Sequence, residues 1–439
     1  MNLNIDYKVL AQITEGELYG KGILNTLTTD SRKVQKDMCF WVLKGQKYDG
    51  HAFVKQALEQ GANLIVSHTF VKEAPACLMV KETLKALQAL AKYHRQQNKL
   101  EVACITGSNG KSTTKQMLLA LLSYKGQTRA NLGNLNNQIG VPLSLLEITA
   151  QDKYGVFELG ASHKGDIDEI ASLALPKVAL LTNIAPAHLE FFKTLQGVFE
   201  TKTEILKYIE DGGTLVYNLD DEYLKKLKQS YTKKSLNYGF SEEADLQILQ
   251  EEVFAFKYQG RVYKSDLKLQ KHNKLNAAGA ALAAFSLGLT GEEILQALKT
   301  YKPMSLRLEE KTKHGVKFIL DCYNANPFSM QNALNILAQQ EGSKAAVLGD
   351  MRELGEDSAK YHRDLAKQLI DLKIKKIFLV GPLMQEAYKV LAKEPSVMVK
   401  YALDTKDIID PLRQELKNIS VVLIKASNAL NFESIFKEI

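Results

Sequence analysis

No stretch of the 439-residue sequence is apolar for long enough to span a bilayer. The longest apolar run, Ala277–Leu289, falls short of the roughly 20 residues that a membrane helix needs, and it is rich in Ala and Gly. The Met1 end is polar and lacks the apolar core of a signal peptide. Basic runs are also missing. The net charge of +7 is spread through interspersed charges, which argues against a nucleic-acid-binding arm. Cysteine is scarce: Cys39, Cys77, Cys104 and Cys322 share no metal-type spacing and sit mostly in apolar strands. Reduced, buried thiols in a cytoplasmic protein are expected. The sequence has no repeats and no low-complexity tract. Apolar residues make up 45% and charged residues 24%, so an ordinary globular chain of about three domains is expected.

Against these absences stands Val102–Thr114, reading V-A-C-I-T-G-S-N-G-K-S-T-T. Val102 to Ile105 are small or apolar, as in a buried parallel strand. Thr106-Gly107-Ser108-Asn109-Gly110 carry no bulk. Lys111-Ser112-Thr113-Thr114 open an amphipathic helix with Met117, Leu118, Leu121 and Leu122 on one face. A strand, a Gly-rich turn and a helix N-terminus gather backbone N–H groups around one point. The helix dipole and Lys111 add positive charge there. Such a cradle suits nucleotide phosphates, and Ser112 or Thr113 offers a hydroxyl to Mg²⁺. The loop is of the short G-x-x-G-K-[ST] type, because Ile105 stands where the longer pattern has its first Gly.

The flanking segments read as α/β throughout. Residues 1 to about 82 show short strands at Met38–Leu43 and Ala62–Val66 with a helix between them, a small α/β unit. A helix near Thr83–Gln97 leads to the central strand, and periodicity assigns it to neither side. Residues 83–305 contain the cradle, apolar strands at Tyr154–Leu159 and Lys177–Asn183, and a hairpin of Val253–Tyr258 with Arg261–Leu267. These predict a parallel sheet with an antiparallel edge. Residues 306–439 alternate strands at Val316–Asp321, Ala345–Gly349, Lys376–Val380 and Val421–Lys425 with helices. They predict a second, Rossmann-like sheet without a G-x-G-x-x-G fingerprint.

Ligands of open parallel sheets collect at the carboxyl ends of strands. Glu158 and His188 fall near such ends, and together they suit Mg²⁺, which prefers hard oxygen ligands and keeps waters. Singly, Glu158 also reads as a capping or salt-bridged carboxylate, and His188 as a satisfied surface histidine. Lys271-His272-Asn273-x-x-Asn276 opens a helix with both Asn on one face. Asn273 is either an N-cap or, with Asn276, a reader of a purine edge. Asp321 suits a ribose hydroxyl, or it belongs to the turn chemistry of Asp321–Pro327. Lys202 reads on composition as a solvated helix lysine.

Taken together, T-G-S-N-G-K-S-T-T, L-N-N-Q-I-G-V-P from Leu135, E-L-G-A from Glu158, H-N-x-x-N from His272, Y-N-A-N-P from Tyr323 and G-D-M-x-E-L-G from Gly349 resemble the Mur ligases. The resemblance is collinear over nearly the whole chain. Y-N-A-N-P and G-D-M-x-E-L-G look like the D-alanyl-D-alanine-adding branch. The resemblance implies three domains: a UDP-muramyl-peptide domain (1–82), an ATPase domain (83–305) and a C-terminal domain (306–439) that closes over ATP and positions the incoming amine. It implies that ATP phosphorylates the terminal carboxylate of UDP-N-acetylmuramoyl-tripeptide, and that D-alanyl-D-alanine displaces the phosphate.

By motif position, Gly107 to Thr113 with Lys111 would hold the phosphates, and Ser112, Glu158 and His188 the metal. Asn273 and Asn276 would serve adenine, Arg307 ATP, and Asp321 the ribose. Ser31, Arg32, Asn137, Tyr323, Asn324 and Asn326 would serve the substrates. Lys202, in an A-K-x-E-like segment, would carry CO₂ as a carbamate that helps to hold a second Mg²⁺. A cytoplasmic monomer with no nucleic-acid partner and no membrane span is expected. Two departures stand out: Lys425-Ala426-Ser427-Asn428 where the family usually has K-G-S-R, and Leu320-Asp321-Cys322-Tyr323-Asn324 where it commonly has D-D-S-Y-N. Two rival readings are a folylpolyglutamate synthase-like amide ligase and a nucleotide-gated binding protein that only hydrolyses ATP.

Overall fold

The computed structural model describes residues 1–45, 49–302, 306–427 and 430–439. The Pro303-Met304-Ser305 loop before Arg307, and Asn428, lie outside the described residues. The chain forms two compact units. One comprises Met1–Ala161, Gly165–Thr182 and Thr201–Thr300; the other comprises Ser162–Lys164, Asn183–Glu200 and Tyr301–Ile439.

Among the described residues the first unit holds two large sheets and a two-stranded antiparallel pairing of Ile5–Asp6 with Ile23–Leu24. Its N-terminal part is a five-stranded sheet in the order Glu17–Tyr19, Cys77–Met79, Leu64–Ser67, Cys39–Trp41, Leu27–Thr28. The Glu17–Tyr19 edge is antiparallel and the rest is parallel. Helix Thr83–Gln97 matches its predicted bounds. It packs against helix Tyr7–Thr14 on one side and against Gly140–Leu145 and Asp166–Ala174 on the other. It therefore ties the two sheets together, which explains why its periodicity favoured neither. Buried Trp41 anchors its start, with Nε1 donating 2.8 Å to the Thr83 carbonyl.

The second sheet has nine strands, with Glu101–Thr106 between Val178–Leu181 and Tyr154–Glu158. These three are parallel and in register. All are buried apart from Glu101, as expected for strands covered on both faces. The predicted hairpin forms the antiparallel edge, as Ala255–Tyr258 and Arg261–Lys264. Strands Thr214–Asn218 and Ser235–Gly239 extend the parallel sheet toward it.

The second unit is built on a six-stranded sheet in the order Glu309–Lys313, Val316–Asp321, Val421–Lys425, Lys344–Gly349, Lys376–Val380, Met398–Ala402. Only the Glu309–Lys313 pairing is antiparallel. Successive residues alternate between two cores: Ile319, Leu348, Leu379 and Leu423 on one face, Phe318, Leu320, Val347, Phe378 and Ile424 on the other. That alternation follows from the period of two along a strand. Among the described residues no helix is long and apolar enough to cross a membrane.

Candidate active site

The phosphate loop has the geometry its sequence predicts. Gly107 and Gly110 take φ of +144° and +81°, and helix Lys111–Ser123 begins directly after. Met117, Leu118, Leu121 and Leu122 are fully buried. The backbone at Gly110 is in the left-handed region, and a Cβ there would fall on Oδ1 of Asn276. The loop is fixed from two directions. Thr182 Oγ1 donates 2.6 Å to the Asn109 carbonyl. Asn276 Oδ1 accepts from Thr114 Oγ1 at 3.3 Å, while its Nδ2 donates 3.2 Å to Asn273 Oδ1. Helix Lys271–Ser286 starts after Gln270, so Asn273 lies inside the first turn and is not the N-cap. Lys111 is half-buried, its ammonium donating to the carbonyls of Gly107 (2.8 Å) and Ser108 (3.2 Å).

Glu158 ends its strand buried, in a setting that local sequence did not disclose. Asn131 brackets its backbone: Oδ1 accepts from Glu158 N at 2.9 Å and Nδ2 donates to Glu158 O at 3.0 Å. Asn136 Nδ2 donates 2.8 Å to Oε1, and Oε2 is buried with no hydrogen-bond partner among the described residues. Among the described residues the carboxylate thus makes neither a helix cap nor one half of an ion pair. The Asn131 carbonyl in turn accepts from the buried ammonium of Lys115 at 2.7 Å. Asn131, Asn136 and Lys115 were not anticipated as site residues. The one signal available was their place in or beside the cradle and the L-N-N-Q-I-G-V-P segment.

Lys202 corrects the solvated reading. It sits in the last turn of helix Leu195–Thr203 and is 2% exposed, with Nζ 3.4 Å from the Ala161 carbonyl. Burial lowers its pKa to about 7, and the positive charge of Lys111 pushes in the same direction, against the attraction of Asp166, Glu204 and Glu158. Glu204 has its own task, accepting the backbone N–H groups of Gly165 (2.8 Å) and Asp168 (3.0 Å) at the start of helix Asp166–Ala174. The first unit therefore brings Lys111, Glu158 and Lys202 into one electrostatic neighbourhood.

The remaining predicted residues are placed as follows. In the first unit, Ser31 Oγ donates 3.0 Å to Gln56 Oε1, and Arg32 is 81% exposed and paired with Asp30. Asn137 is exposed and lies just before helix Gly140–Leu145, its Oδ1 accepting from Gly140 N at 2.8 Å. In the second unit, His188 sits at φ +53°, and its Nδ1 pairs with the Glu353 carboxylate of the G-D-M-R-E-L-G loop. That bond holds the Glu353 carboxyl below the usual range. Arg307 stacks on the Tyr323 ring, 4.0 Å from its centroid. Asn324 is exposed. Asn326 is buried and caps helix Pro327–Ala338 in a reciprocal box with Ser329. Asp321 is paired with Lys425.

The donor set fits Mg²⁺. A buried carboxylate oxygen with no protein partner among the described residues lies in the same unit as a phosphate loop whose Ser112 sits in the first turn of helix Lys111–Ser123. Among the described residues no group of three His, Cys, Asp or Glu forms a closed metal cage. Mg²⁺ rarely uses such a cage, since it binds through one or two carboxylates plus phosphates and water.

A phosphate cradle on a parallel sheet, followed by a Rossmann-like unit, defines a nucleotide-dependent group-transfer enzyme. Comparison with known proteins narrows the class. The Mur ligase middle-domain model matches residues 105–284, the Mur ligase glutamate ligase domain 306–428, and the Mur ligase family catalytic domain 24–97. The UDP-N-acetylmuramoyl-tripeptide–D-alanyl-D-alanine ligase of Bacillus subtilis is 34% identical, covering 98% of this chain and 97% of its own. The crystal structure of MurF from Acinetobacter baumannii superposes with a TM-score of 0.91 at 31% identity, over 98% of this chain and 97% of that one. MurF ligase from Thermotoga maritima in complex with ADP gives 0.83 at 30%, over 94% and 96%. The chain belongs to the Mur ligase family.

Proposed function

We propose that the chain is the ATP-dependent ligase that joins D-alanyl-D-alanine to UDP-N-acetylmuramoyl-tripeptide, giving the pentapeptide precursor of peptidoglycan. The reading is carried by the cradle around Lys111 with Oε2 of Glu158, which has no hydrogen-bond partner among the described residues, in the same unit. It is supported by relatives of that activity matched along nearly their full length. A carboxylate is a poor electrophile until one oxygen becomes a phosphate leaving group. In the first step the tripeptide carboxylate attacks the γ-phosphorus and the bond to ADP breaks. In the second the dipeptide amine attacks the acyl carbon, loses a proton, and phosphate leaves.

In this reading the loop from Gly107 to Thr113 orients the phosphates, and the Lys111 ammonium turns from its loop carbonyls to the β/γ oxygens. Ser112, Glu158 and His188 would hold Mg²⁺, which when bound would spread the charge of the transferred phosphoryl. Asn273 and Asn276 serve adenine, Arg307 the phosphates and Asp321 the ribose. Ser31, Arg32, Asn137, Tyr323, Asn324 and Asn326 serve the two peptide substrates. Lys202 is carbamylated: its neutral amine bonds to CO₂ and releases a proton, turning a buried cation into an anionic oxygen ligand for a second Mg²⁺. The depressed pKa of Lys202 supports this, because only the neutral amine reacts.

Domains of 1–82, 83–305 and 306–439 divide these tasks. The enzyme works as a cytoplasmic monomer, a placement supported by ATP dependence and by four buried thiols without a disulfide. Phosphate release tests the reading. Turnover that requires both the muramyl tripeptide and D-alanyl-D-alanine supports it. Turnover independent of an acceptor identifies a gated hydrolase, and turnover with a folate acceptor identifies the other amide ligase.

A further inference from the structure

We propose that Lys425 is a positioning residue that aims the Asp321 carboxylate at the ribose of the bound nucleotide, an inference that rests on the reading of Asp321 above. Lys425 ends strand Val421–Lys425, Asp321 ends the neighbouring parallel strand, and the two are register partners. The Lys425 side chain is 1% exposed and that of Asp321 is 15% exposed. Lys425 is therefore a buried cation that needs a partner, whereas Asp321 keeps an outward face. Nζ donates 2.5 Å to Asp321 Oδ2 and 2.9 Å to the Asn324 carbonyl. One ammonium thus fixes both the carboxylate and the turn that follows it. With Oδ2 occupied, Oδ1 is left for a ligand hydroxyl, and rotation of the carboxylate would break the charge-assisted bond. Neighbouring residues of the same motif are built inward: Ala426 is fully buried and Ser427 Oγ donates 3.1 Å to the Asp350 carbonyl. The K-A-S segment is thus a support for the nucleotide side of this unit, and Lys425 is its working residue.

The test compares ATP with 2′-deoxy-ATP and 3′-deoxy-ATP in phosphate release by the full-length enzyme, with both peptide substrates present. Wild type should prefer ATP, and D321N should lose the preference. K425M should lose most of it. Its KM for ATP should rise about tenfold, the size of one hydrogen bond to a charged group, while kcat changes much less. K425R keeps the charge but not the single-point geometry, and should give an intermediate ratio. A folded K425M with the wild-type preference overturns the role of Lys425; if K425M does not fold, the wild-type preference in K425R does so. If wild type shows no preference, or D321N keeps it, the ribose reading of Asp321 fails, and the role of Lys425 falls with it. A merely structural lysine would lower the amount of active enzyme without altering the choice of nucleotide.

Discussion

Asn136 Nδ2 donates 2.8 Å to Oε1 of Glu158, and the other oxygen of that carboxylate is buried without a partner among the described residues. The bond selects which oxygen is left for a ligand. The fit is close on both sides: the Gly160 N–H donates 2.7 Å to the Asn136 carbonyl, and a Cβ at Gly160 would approach Asn136 Cγ to 2.9 Å. Asn136→Ala should raise the Mg²⁺ concentration needed for half-maximal turnover by about ten- to a hundredfold, the usual effect of removing a group that orients a metal ligand. Binding of Mn²⁺ followed by electron paramagnetic resonance should weaken in parallel. Unchanged metal binding would show that Asn136 does not orient Glu158.

Gly110→Ala should abolish nucleotide binding yet leave a folded protein. The new Cβ meets Asn276 Oδ1, and the backbone is left-handed at φ +81°. Strain there is local to the loop, because the sheet beneath is held by its own ladder. Calorimetric titration with ADP and Mg²⁺ reads the loss, and the wild-type affinity would contradict the crowding at this glycine.

Lys111→Ala should lower kcat by about 10²- to 10³-fold, the range for one preorganised charge at a transition state. Its thermal midpoint should change little, because the ammonium of this half-buried side chain bonds to the loop carbonyls of Gly107 and Ser108. Near-normal turnover would remove Lys111 from the phosphoryl transfer.

Lys202 makes a pH-dependent prediction. Its pKa is about 7 in the folded chain, against an ordinary value of 10.5. Between those values the unfolded chain carries a proton that the folded chain does not, so stability rises with pH across that window. Below about pH 7 the full penalty for burying the charge is present. In CO₂-free buffer the urea midpoint of wild type, relative to Lys202→Met, should therefore climb from about pH 7 toward 10.5, and a flat difference would refute the burial effect. Lys202→Ala should be nearly inactive and partly rescued by short carboxylates. Wild-type activity should fall on CO₂ depletion and return with bicarbonate. Full activity of Lys202→Ala would return the residue to a structural role.

What could be read from sequence follows the physics of each element. The cradle, helix Thr83–Gln97 and strands Val316–Asp321, Lys376–Val380 and Val421–Lys425 were legible because buried strands and amphipathic helices carry strong local patterns. Strand Glu309–Lys313 was not. It is an edge strand made of charged residues and one threonine, and it has no apolar face to announce it. Met398–Ala402, the other edge of the same sheet, is half-exposed and was missed for a similar reason. Among site residues, Lys111 was visible from the Gly-rich turn before its helix and Glu158 from its place at a strand end. The groups that hold them were not, since Asn136 on Glu158, Asn276 on the Gly110 turn and Lys425 on Asp321 are pairings across the fold. Burial of Lys202 was hidden as well, because Thr201 and Thr203 beside it look like a polar surface turn until the chain is folded.

The central claim is tested most directly by mass spectrometry of the product formed from ATP, D-alanyl-D-alanine and UDP-N-acetylmuramoyl-tripeptide, supplied with lysine or with a diaminoacid as its third residue. The account predicts that one tripeptide or both gain the mass of D-alanyl-D-alanine less one water, with one ADP and one phosphate formed per product. ATP hydrolysis without any peptide product, or a product that forms without ATP, would contradict it.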